Sequence, residues 1–369
     1  MAYTYYHGSD SDVEWAVEDP TAYSVTPAAG AFNGQALLRG VATNVNENVE
    51  RIYITNSTYK FNPHTEVKGR HEPTFTTTMW IAKEGTGTSI TDYWIAKLPI
   101  DYKNLAFTTN HWYVPSNVTT AGANYGNYGT ANNQALLSST WEVTQPDSAG
   151  TDIRGWRFHG SEANRFTVRA RRGEKVEFSI DWVAQWAEKI TAMTAGTTTQ
   201  ATGSPFDWSD CVLKWKGEDD SATTITSSTG LEFTVNNRLV PQDTLQNQTV
   251  PRTIGGFVRG PREITGTLSV WKDSTAGQKW EEILLSATTG ATTPDESINL
   301  GQVDFEMQGD ATTTGIRFVI EDAVIGELPI DLDLGGNIQE LRIPFTGRYI
   351  WADVLTLDTT APTNWSQTS

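Results

Sequence analysis

Polar and apolar residues alternate with period two over several short stretches, and each stretch predicts a strand with one buried face. Over residues 263–272, Ile264, Leu268 and Val270 fall on one side, with Glu263, Thr265, Thr267 and Ser269 on the other. Over residues 72–80, Glu72, Thr74, Thr76 and Thr78 oppose Phe75 and Met79. Leu341, Ile343 and Phe345 alternate with Glu340 and Arg342, and Val176, Phe178, Ile180 and Trp182 with Glu177, Ser179 and Asp181. Leu231, Phe233 and Val235 alternate in the same way with Glu232, Thr234 and Asn236. A sheet of this kind leaves its other face to water, and its open edges must be paired, covered or blunted. Two stretches carry helical spacing instead. Residues 276–287 (AGQKWEEILLSA) set Trp280, Ile283, Leu284 and Leu285 at helical intervals, and residues 91–98 (TDYWIAKL) do so more weakly with Trp94, Ile95 and Leu98. Each predicted helix is expected to cover the apolar face of a sheet.

These patterns occur twice, in one order. Residues 67–80 (VKGRHEPTFTTTMW) set beneath residues 258–271 (VRGPREITGTLSVW) pair Gly69 with Gly260, Glu72 with Glu263 and Trp80 with Trp271, at an offset of 191. GWRF at 155–158 pairs with GIRF at 315–318 at an offset of 160. RRGEKVEFSIDW at 171–182 pairs with LGGNIQELRIPF at 334–345 at an offset of 163. The repetition implies two copies of one structural unit. The fall from 191 to 160 gives the first copy about 31 extra residues. They are expected as a surface insertion around residues 101–150, where 117–134 are rich in Asn, Gly and Tyr. Residues 191–205 (TAMTAGTTTQATGSP) have no hydrophobic periodicity and read as a linker. The expected organisation is a first unit at 1–192, a linker at 193–203 and a second unit at 204–369.

Composition narrows the class. Charged residues are 19% and aromatics 11% of 369 residues, with Thr, Gly, Asn and Trp prominent, a balance that favours strands and turns over long charged helices. The net charge of -17 and pI near 4.7 argue against a partner gripped through phosphates, which needs clustered Lys and Arg. Cys211 is the single cysteine, so no intrachain disulfide and no thiolate metal cluster is possible. Residues 1–12 have no secretory-signal pattern, and no run approaches the roughly 18 apolar residues of a membrane span. Synthesis in a cytoplasm is the expectation.

Catalytic and metal chemistry finds no foothold in the motifs. His7, His64, His71, His111 and His159 show no HExxH or other close ligand spacing, so no metal site and no cofactor are expected. Asp331 and Asp333 precede Gly335 and Gly336 as in a calcium loop, but Arg342 stands where a bidentate Glu is required, and a hairpin turn is the better reading. GxSxG, Walker A and GxGxxG runs are absent. The acidic pairs Glu281–Glu282 and Asp219–Asp220 read as solvated helix or loop positions rather than glycosidase carboxylates. The sequons at Asn56, Asn117, Asn247 and Asn364 are what an Asn/Thr-rich chain yields by chance. Of fourteen tryptophans, Trp80, Trp182, Trp271 and Trp280 fall in the repeated core pattern and are expected to pack. The chain is therefore not expected to be an enzyme.

Trp208-Ser209-Asp210 opening a strand, Asn236-Asn237 followed by Leu239, and Gly260 with the run from Arg262 to Leu268 (REITGTL) resemble the tail tube (major tail) proteins of long-tailed, siphovirus-like phages or archaeal tailed viruses. The likeness spans residues 206–357 and extends more weakly, through the repeat, to the first half. It implies a mainly β fold of two tandem units, each of two packed antiparallel sheets, sandwich- or barrel-like, with a flanking α-helix. It also implies a structural virion protein whose subunits join edge to edge into rings stacked as a hollow conduit for the genome. Single-unit members form hexameric rings and tandem members trimers of six pseudo-equivalent units. Implied partners are copies of the chain itself, tape-measure and tail terminator or tip proteins, and DNA that passes without specific binding; no membrane is involved. The implied location is the virion tail, after assembly in the host cytoplasm. Three departures stand out: Phe75 replaces the glycine at Gly266, the insertion before Gly155 is unmatched, and no first-copy counterpart of residues 208–216 is visible.

On this reading the polar strand faces line the lumen. The residues expected there are Glu72, Thr74, Thr76, Glu177, Asp181, Glu232, Glu263, Thr265, Thr267 and Glu340, since carboxylates and hydroxyls offer no counter-charge to phosphate. A solvated outer face is the alternative for the same rows. Residues 238–257 and 49–66 are expected as extended hairpins or loops reaching the next ring, with Ile54, Tyr59, Leu245 and Val250 at the contact. A secreted carbohydrate-binding β-sandwich, an acid-pair glycosidase and another tail or capsid component are the competing readings.

Overall fold

The computed structural model describes residues 12–18, 27, 37–45, 47–52, 65–81, 83, 95, 98–100, 138–146, 153–194, 204–216, 223–242, 254–271, 301–308, 315–326 and 340–353. In the first half the strands are β1 (Asp12–Val17), β2 (Leu37–Asn44), β3 (Glu47–Ile52), β4 (Thr65–His71), β5 (Thr74–Trp80), β6 (Ser139–Pro146), β7 (Ile153–Arg171), β8 (Glu177–Val183) and β9 (Trp186–Ile190). Then follow β10 (Cys211–Lys216), β11 (Thr223–Thr224), β12 (Ser228–Asn236), β13 (Leu239–Gln242) and β14 (Gly256–Arg259). The last are β15 (Glu263–Trp271), β16 (Gly301–Gln308), β17 (Gly315–Ala323), β18 (Glu340–Gly347) and β19 (Tyr349–Asp353).

A ten-stranded sheet dominates, with a main path β18-β15-β12-β7-β8-β5-β2. Strands β6 and β9 attach to the first part of β7, and β1 pairs β6. A five-stranded sheet runs β11-β10-β16-β17-β19, while β3–β4 and β13–β14 are separate two-stranded ladders. The large sheet draws strands from both halves of the chain. They meet where β7 pairs β12, antiparallel, with Gly230 opposite Arg171 and Asn236 opposite Arg165.

The sequence repeat reappears as a repeat of register. Phe75 faces Trp182 and Thr78 faces Ser179 across β5–β8; at the repeat positions, Gly266 faces Phe345 and Ser269 faces Arg342 across β15–β18. A bulge sits between Leu38 and Gly40 where β2 meets β5, and another between Ser228 and Gly230 where β12 meets β15. Each is flanked by the equivalent partners, Thr78 and Met79 in one case and Ser269 and Val270 in the other. A bulge is a specific local irregularity, so its recurrence at one register position marks β2 and β12 as counterparts. The counterpart of β10, invisible in the sequence, is β1: Trp15 faces Trp141, which faces Phe158, as Leu213 faces Phe305, which faces Phe318.

Strand β7 serves two sheet regions because it turns at Gly160, whose φ of +58 is open to glycine. Before the turn it pairs β6 and β9, and after it β8 and β12. Asp322, with φ of +49, occupies the same place in β17, Asp being among the residues that tolerate this region. Backbone bonds repeat around the two turns: Gln185 N–H donates to His159 O at 2.9 Å, and Arg348 N–H to Glu321 O at 3.0 Å.

The flanking helices and the barrel-like closure of the expected units are corrected by this topology. Among the described residues no helix reaches seven residues; the 3-10 turn Trp208–Asp210, capped by Asp207, is the named helical element. Among the described residues no sheet closes into a barrel, since β18 and β2, the two ends of the main path, do not pair with each other. Residues 276–287 lie outside the described residues. Of the other predicted helix, Ile95 is helical and Leu98 lies in a turn, both buried, and residues 91–94, 96 and 97 lie outside the described residues. Over β5 and β8 the large sheet is covered by its own β6 and the first part of β7, with Phe75 at 4.6 Å from Phe158 and Trp182 at 5.0 Å from Trp141, and around β7 and β12 it is covered by the five-stranded sheet. Phe318 of β17 lies 5.8 Å from Phe166, 6.3 Å from Phe178 and 5.3 Å from Phe233 between ring centres, joining both halves in one apolar core. Each such buried ring contributes about 1.5–3 kcal/mol.

Candidate functional site

Alternation along the main path gives the large sheet one apolar and one polar face. Phe75, Phe166, Val168, Phe178, Leu231, Phe233, Leu268 and Ile343 are buried on one side. Directly opposed residues share a face in an antiparallel ladder, so the ladders carry the polar row across the sheet. Thr76 lies beside Asp181, Glu177 beside Arg169, Arg169 beside Glu232, Glu232 beside Thr267 and Thr267 beside Pro344. Thr74, Thr76, Glu177, Asp181, Glu232, Glu263, Thr265, Thr267 and Glu340 thus fall on a single face of a single sheet, drawn from both halves. Glu72 does not belong to these rows: it sits half-buried in the connection between β4 and β5. Inward-facing space is filled differently in the two copies. Phe75 stacks on Trp182 at 5.9 Å, whereas a Cβ on Gly266 would meet the Phe345 ring at 2.2 Å, so Phe345 occupies the volume that Phe75 fills in the first copy.

The polar face is not a wall of carboxylates. Its strands carry Glu177, Asp181, Glu232, Glu263 and Glu340, but also Arg165, Arg169, Arg171 and Arg342, nearly balancing in charge. Opposite charges face each other at Arg165–Asp181, Arg169–Glu177 and Arg169–Glu232, and Arg171 reaches Glu232 at 3.4 Å. Arg342 approaches Glu340 at 3.9 Å, and Arg238, at the margin, holds Glu263 at 2.6 Å. Hydroxyls fill the intervals: Thr76 donates to Asp181 at 2.7 Å, and Thr167 and Thr234 share a bond of 3.0 Å. Sequence reading missed the β7 arginines, although residues 165–171 (RFTVRAR) alternate strictly.

A second group of charges lies under the surface, in the same place in both copies. Arg157 contacts Glu142 and Glu188, each at 2.7 Å, and Glu142 also accepts from the Thr194 N–H. Burial opposes the Arg157 charge, yet its two carboxylates raise its pKa above the ordinary value. At the repeat position Arg317 chelates Asp304 and lies 3.4 Å from Glu306, which Lys214 holds at 2.9 Å. Burial pushes the Asp304 carboxyl above the usual aspartate range even beside Arg317. His159 is fully buried, stacked on Trp186 at 3.9 Å, and burial holds its pKa below the ordinary histidine value despite Glu188. Burial likewise raises the Cys211 thiol, which is a poor nucleophile in that state. Among the described residues no three His, Cys, Asp or Glu side chains are grouped to hold a metal ion. No described tryptophan is exposed.

The ladders β3–β4 and β13–β14 are the bases of the two expected hairpins. Ile54, Tyr59, Leu245 and Val250 lie outside the described residues. Val240 and Val258 face each other on β13–β14 at 57% and 45% exposure, the exposed large hydrophobic residues among those described.

Residues 106–347 match the phage tail tube protein family, and the chain belongs to it. It is accordingly a structural component of the virion tail, with no catalytic role, and its partnerships are oligomeric and with the tail apparatus. One similar solved chain comes from the anti-feeding prophage (AFP) baseplate, determined by cryo-EM and 6-fold symmetrised. It is 10% identical, with 39% of this chain and 92% of that chain covered and a TM-score of 0.28. No curated protein matches.

Proposed function

We propose that this chain is the major subunit of the tail tube itself, in which copies join edge to edge into rings and the rings stack into a conduit for DNA. Each chain supplies two tube units, at 1–192 and 204–369, so a trimer makes a ring of six pseudo-equivalent units. The polar face of the large sheet lines the bore. The observation that carries this reading is the β7–β12 ladder, where two copies of one unit already continue a common sheet, polar face to polar face. A chain built as two joined units of a repeating wall has a reason to keep such a ladder between them. Tape-measure and terminator or tip proteins are the further partners, and assembly takes place in the host cytoplasm.

The charge pattern suits a bore through which DNA must slide. Arginines alone would hold phosphates and displace counterions, whereas here a carboxylate lies opposite Arg165 and Arg169 and beside Arg171 and Arg342. Screening over about 8 to 10 Å at physiological salt confines these fields to the wall.

The β3–β4 and β13–β14 hairpins are assigned to the contact between rings. Removing residues 243–253 leaves Ile254 and Gly255 as a two-residue connection between Gln242 and Gly256, which already oppose each other. The variant is expected to stay folded by circular dichroism and to form rings without forming tubes in negative-stain images. Tubes of ordinary length from this variant contradict the assignment.

A further inference from the structure

At one matched position the two copies differ in whether the core can titrate. His159 on β7 opposes Trp186 on β9, and its counterpart Val319 on β17 opposes Trp351 on β19. The flanking pairs agree: Arg157 with Glu188 and Phe158 with Ala187 in the first copy, Arg317 with Asp353 and Phe318 with Ala352 in the second. The first copy thus carries an imidazole where the second carries a hydrocarbon side chain.

The imidazole is enclosed. Its ring lies parallel to the Trp186 ring within 8°, and Nε2 sits 3.2 Å from Glu188 Oε1. An ionised carboxylate only accepts, so Nε2 carries the proton of the neutral ring and Nδ1 the lone pair. Nδ1 is buried, and among the described residues it has no hydrogen-bond partner. A second proton would land there without an acceptor, in a site closed to water. The charged groups facing this region are Glu188 from β9, Arg157 from β7, Glu142 from β6, Glu14 from β1 and Glu18 just beyond β1. Glu142 and Glu188 both bind Arg157, while Glu18 accepts from the Thr140 hydroxyl and the Gly160 N–H, each at 2.7 Å. Burial outweighs the pull of these carboxylates and keeps the neutral ring favoured.

The ring also sits at a junction. His159 O accepts from the Gln185 N–H immediately before the left-handed turn at Gly160, and Gln185 O accepts from the Ile254 N–H, at 3.2 Å, on the approach to β14. We infer that His159 is an acid-opened latch: neutral, it closes β9 over the turn at Gly160, and protonated, it releases β9 together with the Gln185 contact to Ile254. Val319 gives the second copy no group to titrate at this place. The latch is a property of one chain and does not depend on ring assembly. An exposed histidine takes up its proton near pH 6.5, and the closed site does so only at lower pH, so the open form binds more protons in between. Closure is therefore complete above about pH 6.5 and weakens as pH falls below it.

Hydrogen exchange of the full chain, read by mass spectrometry and corrected for the intrinsic pH dependence of exchange, tests the latch. Between pH 7.5 and 5.5 the amides of residues 185–189 in the wild type are expected to exchange up to about tenfold faster, the most that one histidine proton supplies one pH unit below 6.5. His159→Val, which copies the second unit and keeps every carboxylate, is expected to lose that acceleration. His159→Gln, which keeps a donor toward Glu188, should lose it as well, and the comparison stands on either variant if the other fails to fold. Amides of β19 are expected to respond alike in all the proteins. Acceleration that persists at β9 in a folded variant, or that is absent from the wild type, overturns the latch.

Discussion

Arg317→Met is expected to cost about 3–5 kcal/mol of folding stability, the usual penalty for stripping one partner from a buried ionic cluster. Arg317 is 2% exposed, chelates Asp304, lies 3.4 Å from Glu306 and sits over the Trp351 ring at 5.4 Å. Methionine fills similar volume but leaves two carboxylates, 4% and 3% exposed, with Lys214 on Glu306 alone. Adding Asp304→Asn and Glu306→Gln to the same chain removes the orphaned charges and should restore part of the loss. Arg157→Met should cost less, because Glu142 keeps the Thr194 N–H and hydroxyl as donors. Urea unfolding followed by tryptophan fluorescence measures all of these; an Arg317→Met transition at the wild-type midpoint would show that the cluster does not hold the second sheet together.

The second large effect is expected on the polar face. Replacing Glu177, Glu232, Glu263 and Glu340 together by glutamine keeps side-chain size while stripping the facing or neighbouring carboxylates from Arg169, Arg171 and Arg342; Arg165 keeps Asp181. These carboxylates sit at the sheet surface, so folding and ring formation should persist. Duplex DNA should now be retained by open tubes, with log Kobs falling against log salt by about 0.9 for each phosphate engaged. Wild-type tubes should retain little. Salt-dependent retention by the variant supports charge balance as the reason DNA slides; equal retention by both proteins removes that role from the carboxylates.

Much of the fold was legible because its strands are half-buried. The period-two pattern placed Phe75, Phe178, Phe233, Leu268 and Ile343 on the buried face without knowledge of partners. Strand β16 defeats the same rule. Asp304 and Glu306 alternate with Val303, Phe305 and Met307 as though facing water, yet both are buried, because Arg317 from β17 lies across the ladder. Local sequence does not reveal a cross-strand partner. Strand β1 escaped for a related reason: Trp15 replaces Leu213 and Trp141 replaces Phe305, so packing is preserved while identity is not. Trp186-Ala187-Glu188 and Trp351-Ala352-Asp353 occupy equivalent places in β9 and β19 and carry the repeat in their sequence as well. Apolar spacing over so short a stretch marks burial, as at Ile95 and Leu98, without fixing the length of a helix.

A cryo-EM map of the polymerised protein at side-chain resolution tests the central claim most directly. The account predicts rings of three chains, six similar wall segments around an open bore, with the row from Asp181 through Arg169, Glu232 and Thr267 facing the axis. Polymers in which that row faces outward, or in which the two halves of the chain occupy dissimilar positions about the axis, would contradict it.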